Sequence, residues 1–131
     1  MRPNTLSDVA IRLQAEPLEK LIPEFLDEFY RERDDDARRQ MFIAEPPPAG
    51  SARHDALLAA IAEYLTKQYK LGAVPRWCAA PMRTLEEPWH TTASREPAMI
   101  EYLTFASPAE FRHRNIFTEE RPLRRASMVR A

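Results

Sequence analysis

The chain has 131 residues, which suits one domain that can bury roughly two-thirds of the surface of its unfolded chain. It contains no run of about 18 apolar residues, and its N-terminus lacks the apolar stretch of a signal peptide. We therefore expect a cytoplasmic protein without a membrane span. One cysteine, Cys78, cannot form an internal disulfide, which agrees with a reducing compartment.

The net charge of -1 hides an uneven distribution of charged residues. Residues 1–50 hold 7 basic and 11 acidic side chains, a net of -4, whereas residues 51–106 hold 6 of each. Residues 107–131 hold 6 arginines and 3 glutamates, a net of +3. An acidic front and a basic tail can attract each other within a molecule, between copies or towards partners. The alternative is that these charges lie on the solvated faces of ordinary helices.

Helical spacing of apolar residues begins near the N-terminus. Thr5 or Ser7 is placed to cap a short amphipathic helix. The apolar stripe of that helix would consist of Leu6, Val9, Ala10 and Leu13. The clearest helix runs from Leu18 to about Arg31, where the same spacing continues over three turns. Pro23 lies inside it, so this helix either kinks or is two helices that meet there.

A third helix is predicted from Asp35 or Asp36 to Ala44, because aspartates suit a helix N-terminus. A proline loop at residues 46–50 then ends it. The helix from Asp55 to Tyr69 is strongly periodic, and Gly72 could adopt the left-handed conformation after its end. It is therefore a candidate core element.

Residues 73–97 carry repeated prolines without a sustained period, so irregular structure is expected there. Trp77 and Trp89 lie in this segment. Tryptophans in loops more often pack over a core than bind a ligand. Pro97 to Phe105 predicts either a helix or a short strand. The helical face would contain Met99, Ile100, Leu103 and Phe105.

The tail opens with Ser107 as a candidate N-cap, Pro108 at the first helical position and Glu110 at the third, the pattern of a capping box. A second helix start is predicted at Thr118. Together these elements predict an all-α fold, a compact bundle of five to six short helices in a single domain over residues 1–131. In it, residues 107–126 form a helical docking tail and residues 127–131 are mobile.

Motifs for common chemistry are missing from the sequence. With only Gly50 and Gly72, no glycine-rich phosphate loop can be formed. His54, His90 and His113 lie far apart, so no metal-ligand spacing is present. We expect no catalytic residues, no metal and no cofactor, and hence a protein that is not an enzyme. An enzyme with a spatially assembled site stays the least favoured alternative.

The tail arginines offer two interpretations. Arginines interleaved with Phe111, His113 and Phe117 could contact phosphates and stack on bases. Arginine with aromatic residues is equally the composition of protein interfaces, and the slightly acidic chain lacks the strong positive charge of a dedicated nucleic-acid binder. The acidic run at residues 34–36 is explained by a helix N-terminus and a solvated face. A protein partner is therefore favoured over nucleic acid.

The tail from Ser107 to Phe117, Ser-Pro-Ala-Glu-Phe-Arg-His-Arg-Asn-Ile-Phe, followed by Leu-Arg-Arg-Ala at residues 123–126, carries a resemblance. It resembles the C-terminal signature of a family of small, largely uncharacterised bacterial proteins of similar length. The similarity continues through the proline loop, the helix from Asp55 to Tyr69 and the Pro88–Trp89 pair. It implies an antitoxin or accessory role beside a nucleotidyltransferase-like toxin, and it implies no catalytic residues.

The leading hypothesis is a protein-binding module, the antitoxin of a toxin–antitoxin-like pair. The alternatives are a DNA-binding regulator, which could repress its own operon, and a self-associating structural protein that forms a homo-oligomer. The candidate partner-binding residues are Phe111, Arg112, Arg114, Asn115, Ile116, Phe117, Leu123, Arg124 and Arg125. Whether the apolar residues of the tail pack on their own domain, a second copy or a partner is left open by the sequence.

Overall fold

A computed structural model describes residues 1–125, and within that range it has six α-helices, two short 3₁₀ helices and one pair of two-residue strands. The mostly helical architecture confirms the predicted all-α class. No helix in the described range is long and apolar enough to cross a membrane. The α-helices are α1 (Leu6–Arg12), α2 (Leu18–Arg31), α3 (Asp35–Gln40), α4 (Ala52–Gln68), α5 (Pro97–Ala106) and α6 (Ala109–Arg112).

The first helix begins with a reciprocal cap. The Thr5 hydroxyl accepts a hydrogen bond from the Asp8 amide at 3.0 Å, and the Asp8 carboxylate accepts one from the Thr5 amide at 3.2 Å. These bonds satisfy donors that have no partner inside the helix. The cap predicted at Thr5 is confirmed, and the buried side of α1 faces α2 and α4.

Helix α2 is uninterrupted across Pro23, so the alternative of two helices meeting there is wrong. Proline inside a helix costs about 3 kcal/mol through its missing donor and its steric clash. Burial of the apolar stripe of α2 outweighs that cost, because each fully buried large side chain stabilises the fold by about 2 kcal/mol. The stripe consists of Leu21, Phe25, Leu26, Phe29 and Tyr30.

Helix α3 is shorter than predicted and ends at Gln40 instead of Ala44. Its first turn is capped by the Asp34 carboxylate, which accepts from the Ala37 amide at 2.8 Å. Met41 and Phe42 then turn into the core, and the Met41 carbonyl accepts from the Leu6 amide at 2.8 Å. This bond joins the end of α3 to the start of α1.

Helix α4 is the central element, in contact with α1, α6 and both 3₁₀ helices. Four of its alanines are fully buried, which lets neighbouring backbones approach closely. Its last turn is closed by Lys70, whose φ of 54° is left-handed, and by a 2.9 Å bond from the Leu71 amide to the Thr66 carbonyl. The left-handed residue that ends the helix is thus Lys70. Gly72, with a φ of 103°, shapes the turn that follows.

The segment predicted as irregular, residues 73–97, contains two 3₁₀ helices, Arg76–Ala79 and Pro81–Arg83, and strand β1, Trp89–His90. Trp77 is buried and donates its indole N–H to the Phe42 carbonyl at 3.1 Å, whereas Trp89 is half-buried against the core. Strand β1 pairs in parallel with β2, Ile116–Phe117, with Trp89 opposite Ile116. This pairing carries the tail back beside residues 89–90.

Arg83 is fully buried and holds the proline loop against α4. Its guanidinium donates to the carbonyls of Asp55 and Pro46, each at 3.0 Å, and lies 4.8 Å from the centre of the Trp77 ring. A buried charge is tolerated only when it is hydrogen-bonded and paired. The carboxylate of Glu45 provides the compensating charge at 3.7 Å.

Replacement of Lys70 by glycine should raise the free energy of unfolding by about 0.5–1 kcal/mol, because glycine adopts a positive φ without steric cost. Lys70→Ala is the matched control. It keeps the strained conformation and should leave stability nearly unchanged. Equal stability of the two variants in urea-induced unfolding would contradict a left-handed residue at this position.

Candidate protein-binding surface

The apolar residues of the tail lie inside the protein's own core. Phe111 is 1% exposed, Ile116 is 0% and Leu123 is 4%. The Phe111 ring packs edge-on against the ring of Tyr64 in α4, with centroids 5.8 Å apart. In this conformation they stabilise the domain, and they could reach a partner only if the tail left it.

The predicted capping box at the start of the tail is wrong. Ser107 ends α5, and α6 begins after Pro108 without a side-chain cap. The Ser107 hydroxyl is buried and accepts a hydrogen bond from the Thr118 amide at 2.8 Å. Ser107 therefore joins the start of the tail to Thr118, just after β2, instead of starting a helix. Between Ser107 and Arg125 only α6 is helical, so the helix start predicted at Thr118 is also wrong.

Arg114 is the second buried arginine, with 3% of its side chain exposed. Its guanidinium pairs with the carboxylate of Glu63 in α4 and donates to the Cys78 carbonyl at 2.9 Å and to the Glu110 carbonyl at 2.8 Å. Three separate segments thus converge on one cation. Breaking a buried pair of this kind leaves an uncompensated charge, which is strongly destabilising.

Glu63 is the acceptor on which this cluster depends. Burial by itself raises the pKa of Glu63, but hydrogen bonds from Arg114, His113 and Lys67 together lower it to about 2. The Nε2 atom of His113 lies 2.8 Å from the Glu63 carboxylate. The carboxylate therefore stays ionised well below the pH at which an ordinary glutamate takes up a proton.

Asn115 makes the turn between α6 and β2. Its φ is 65°, a conformation that asparagine tolerates better than most residues. Its side-chain amide donates to the Leu85 carbonyl at 2.8 Å, and its carbonyl accepts from the Trp89 amide at 2.8 Å. This residue is therefore accounted for by backbone geometry and strand pairing.

The remaining candidate residues lie nearer the surface. Phe117 is half-buried and stacks on the His90 ring at a centroid distance of 4.9 Å. Arg125 is half-buried and forms two hydrogen bonds with the Asp27 carboxylate, at 3.0 and 3.1 Å. Arg112 and Arg124 are exposed. The structure thus does not bring the nine candidates onto one exposed face. Ala126 and the predicted mobile residues 127–131 lie outside the described residues.

An exposed apolar surface lies elsewhere, on α5. Met99 is 40% exposed, Tyr102 is 49% and Phe105 is 75%, and their three-residue spacing places them along one side of the helix. We call these three residues the α5 face. The opposite side of α5 packs on the two strands, where Leu103 is buried and the Thr104 hydroxyl lies 3.2 Å from His90 Nε2. Of the two predicted alternatives, the segment forms the helix, and Met99 and Phe105 of its predicted apolar face are exposed.

The described residues contain no cluster of three or more histidine, cysteine or acidic side chains suited to a metal ion. Burial raises the pKa of Cys78 to about 11, so its thiol is protonated near neutral pH.

Comparisons with protein-family models, with curated proteins and with solved structures found no match to this chain.

Acid should weaken the fold partly through Glu63. A carboxyl group whose folded pKa is lowered to about 2 contributes stability above its ordinary pKa near 4.5 and loses it as the pH falls towards 2. Glu63→Gln should cost about 2 kcal/mol at pH 6. It should also flatten the loss of stability between about pH 5 and pH 3. Urea unfolding at several pH values measures both effects. Glu87→Gln, an exposed control, should keep the wild-type slope, and an unchanged slope in Glu63→Gln would refute this role.

The turn at residue 115 should depend on asparagine for two separable reasons. Asn115→Ala should destabilise the protein by about 2 kcal/mol, because alanine is strained at positive φ and cannot donate to the Leu85 carbonyl. Asn115→Gly removes only the side-chain hydrogen bond and should cost about 1 kcal/mol. Thermal unfolding of both variants tests the turn. A glycine variant less stable than the alanine variant would contradict it.

Proposed function

We propose that this protein is a non-enzymatic protein-binding module whose principal docking surface is the α5 face. The observation that carries the proposal is the exposure of Met99, Tyr102 and Phe105 on one side of one helix. Methionine and aromatic residues are the types enriched at protein interfaces. A contiguous exposed apolar patch of this kind is often functional and marks an interaction site.

The composition of α5 supports the same conclusion. Glu101 is the single charged residue of this ten-residue helix, whose sequence is Pro-Ala-Met-Ile-Glu-Tyr-Leu-Thr-Phe-Ala. A helix that is apolar nearly all round is normally buried, yet Leu103 is the one residue of α5 that is buried. The apolar surface of α5 that faces away from the two strands is therefore available to another molecule.

The charges around the α5 face favour a different protein over a second copy of this chain. A two-fold contact centred on Tyr102 would bring the Glu101 carboxylates of both copies towards each other, which is unfavourable. The three side chains expose on the order of 300 Å² of apolar area, less than the roughly 800 Å² per partner of a stable interface, so the partner must also contact the surface around them. We infer a partner with an apolar groove rimmed by lysine or arginine, which would pair with Glu101 and Glu96.

The resemblance of the tail to small bacterial antitoxin-like proteins supports a neutralising role, with a nucleotidyltransferase-like toxin as the partner. In this proposal the tail signature builds the domain, and the α5 face blocks or holds the toxin. DNA binding is less favoured, because among the tail arginines in residues 107–125 Arg112 alone lies on a helix, and that helix has four residues.

Exchange of the central and most exposed side chains of the α5 face for charged ones should abolish complex formation. The Tyr102→Glu, Phe105→Glu double variant, co-expressed with the neighbouring gene product, should lose co-elution in size-exclusion chromatography and rescue of growth. The expected loss of affinity is at least about 100-fold, because hot-spot residues contribute 2 kcal/mol or more each. Ile11→Glu is the matched control, since Ile11 is 61% exposed on α1.

Three results would contradict the proposal. The wild-type protein and the neighbouring gene product could elute separately, with no rescue of growth. The Ile11→Glu control could impair binding as much as the α5 variant does. A wild-type dimer that dissociates on Phe105→Glu, measured by sedimentation, would assign the face to a second copy instead. Melting temperatures within about 2 °C of the wild type, roughly half the shift that 1 kcal/mol causes in a domain of this size, exclude unfolding as the cause.

A further inference from the structure

A cavity of about 390 Å³ lies between the end of α2, the last turns of α4 and the tail. Its walls include three tyrosines, Tyr30, Tyr64 and Tyr69, together with Gln68, Arg121 and Arg124. The volume falls within the range of small-molecule sites, roughly 300 to 1,000 Å³. The cavity lies apart from the α5 face, since no α5 residue lines it.

Hydrogen-bond donors dominate the polar lining of this cavity. Arg121 and Arg124 are exposed guanidinium groups, and within residues 1–125 neither has an ion-pair partner. Gln68 adds an amide, and Tyr64 and Tyr69 add hydroxyl groups. None of the lining residues is acidic. A pocket with two cations and no carboxylate favours an anionic ligand.

The carboxylate of Glu110, which influences the cavity-lining Tyr64, is already paired. The carboxylate of Glu110 lies 3.5 Å from the Lys67 ammonium group, so it is paired outside the lining. Burial raises the pKa of the Tyr64 hydroxyl most, and the negative charge of Glu110 raises it further. The positive charge of Arg121 lowers it. Arg121 is therefore near enough to the Tyr64 hydroxyl for its charge to be felt inside the cavity.

Aromatic rings form the back of the cavity. Tyr30 is 8% exposed, and its hydroxyl donates to the Leu123 carbonyl at 2.8 Å, which holds the tail against α2. The rings of Tyr30 and Tyr69 lie 6.0 Å apart, and the Arg38 guanidinium packs 5.0 Å from the Tyr69 ring. Ring edges and faces of this kind suit a flat apolar group better than a chain of polar atoms.

We propose that this cavity binds a small organic phosphate with a planar ring, the chemistry of a nucleoside monophosphate. The phosphate group lies against Arg121 and Arg124, and the ring lies on the tyrosine side chains. Two guanidinium groups match a phosphate better than a carboxylate, because phosphate carries up to two negative charges and three acceptor oxygens. The proposal is independent of the protein-binding role of the α5 face.

Isothermal titration calorimetry on the full chain tests the proposal with adenosine 5′-monophosphate and its two halves, adenosine and inorganic phosphate. Saturable binding of the monophosphate, at least about tenfold tighter than that of either half, is expected because both parts of the ligand are recognised. A 5′-phosphorylated tetranucleotide distinguishes the source. Tighter binding of the tetranucleotide indicates the end of a strand, and tighter binding of the monophosphate indicates a free nucleotide.

Matched variants locate the site. Arg121→Gln with Arg124→Gln should weaken binding at least about tenfold, whereas Arg33→Gln, an exposed arginine outside the cavity, should not change it. Tyr64→Phe removes one hydroxyl, keeps the ring and should weaken binding by a few-fold, which tests the cavity without altering its charge. The proposal is overturned if the monophosphate shows no saturable binding in the millimolar range. It is equally overturned if the double arginine variant binds as well as the wild type, or if inorganic phosphate binds as tightly as the monophosphate.

Discussion

The ion pair between Arg114 and Glu63 is the interaction on which the arrangement of the tail depends. The Arg114 side chain is 3% exposed, and the acceptors for its two terminal guanidinium nitrogens come from α4, α6 and the first 3₁₀ helix. These acceptors are far apart in sequence, so the bonds form only when the tail lies on the α4 surface. With Arg114 in this position, Phe111 and Ile116 on either side of it are buried in the core.

This placement changes the meaning of the tail signature. Four residues of the signature have structural roles. Phe111 and Ile116 are buried in the core, and Arg114 is a buried cation. Asn115 adopts the left-handed conformation that makes the turn before β2. The turn at Asn115 also positions β2 beside β1, and the strand pair supports one side of α5. The tail therefore contributes to the proposed binding surface indirectly, because it supports the helix that exposes Met99, Tyr102 and Phe105.

Much of the fold follows from local patterns in the sequence. Helices α1, α2 and α4 were predictable because apolar spacing and the Thr5 cap act within a few residues. The 3₁₀ helices, the strand pair and the role of Ser107 were not, since each depends on partners between 11 and 37 residues away. The α5 face was missed for a different reason. An apolar sequence predicts burial, and nothing within α5 shows that only one of its sides has a partner in the same chain.

The arginines show how the structure separates residues that look alike in the sequence. Arg114 is neutralised by Glu63, and Arg125 pairs with Asp27 of α2, so these two charges hold the tail to its own domain. The second pair is a direct contact between the acidic front and the basic tail, the intramolecular form of the predicted attraction. Arg121 and Arg124 are left at the cavity beside the tyrosines. Of the exposed arginines in the described part of the tail, Arg121 and Arg124 therefore lie at the cavity, whereas the exposed apolar face of the helix lies on α5.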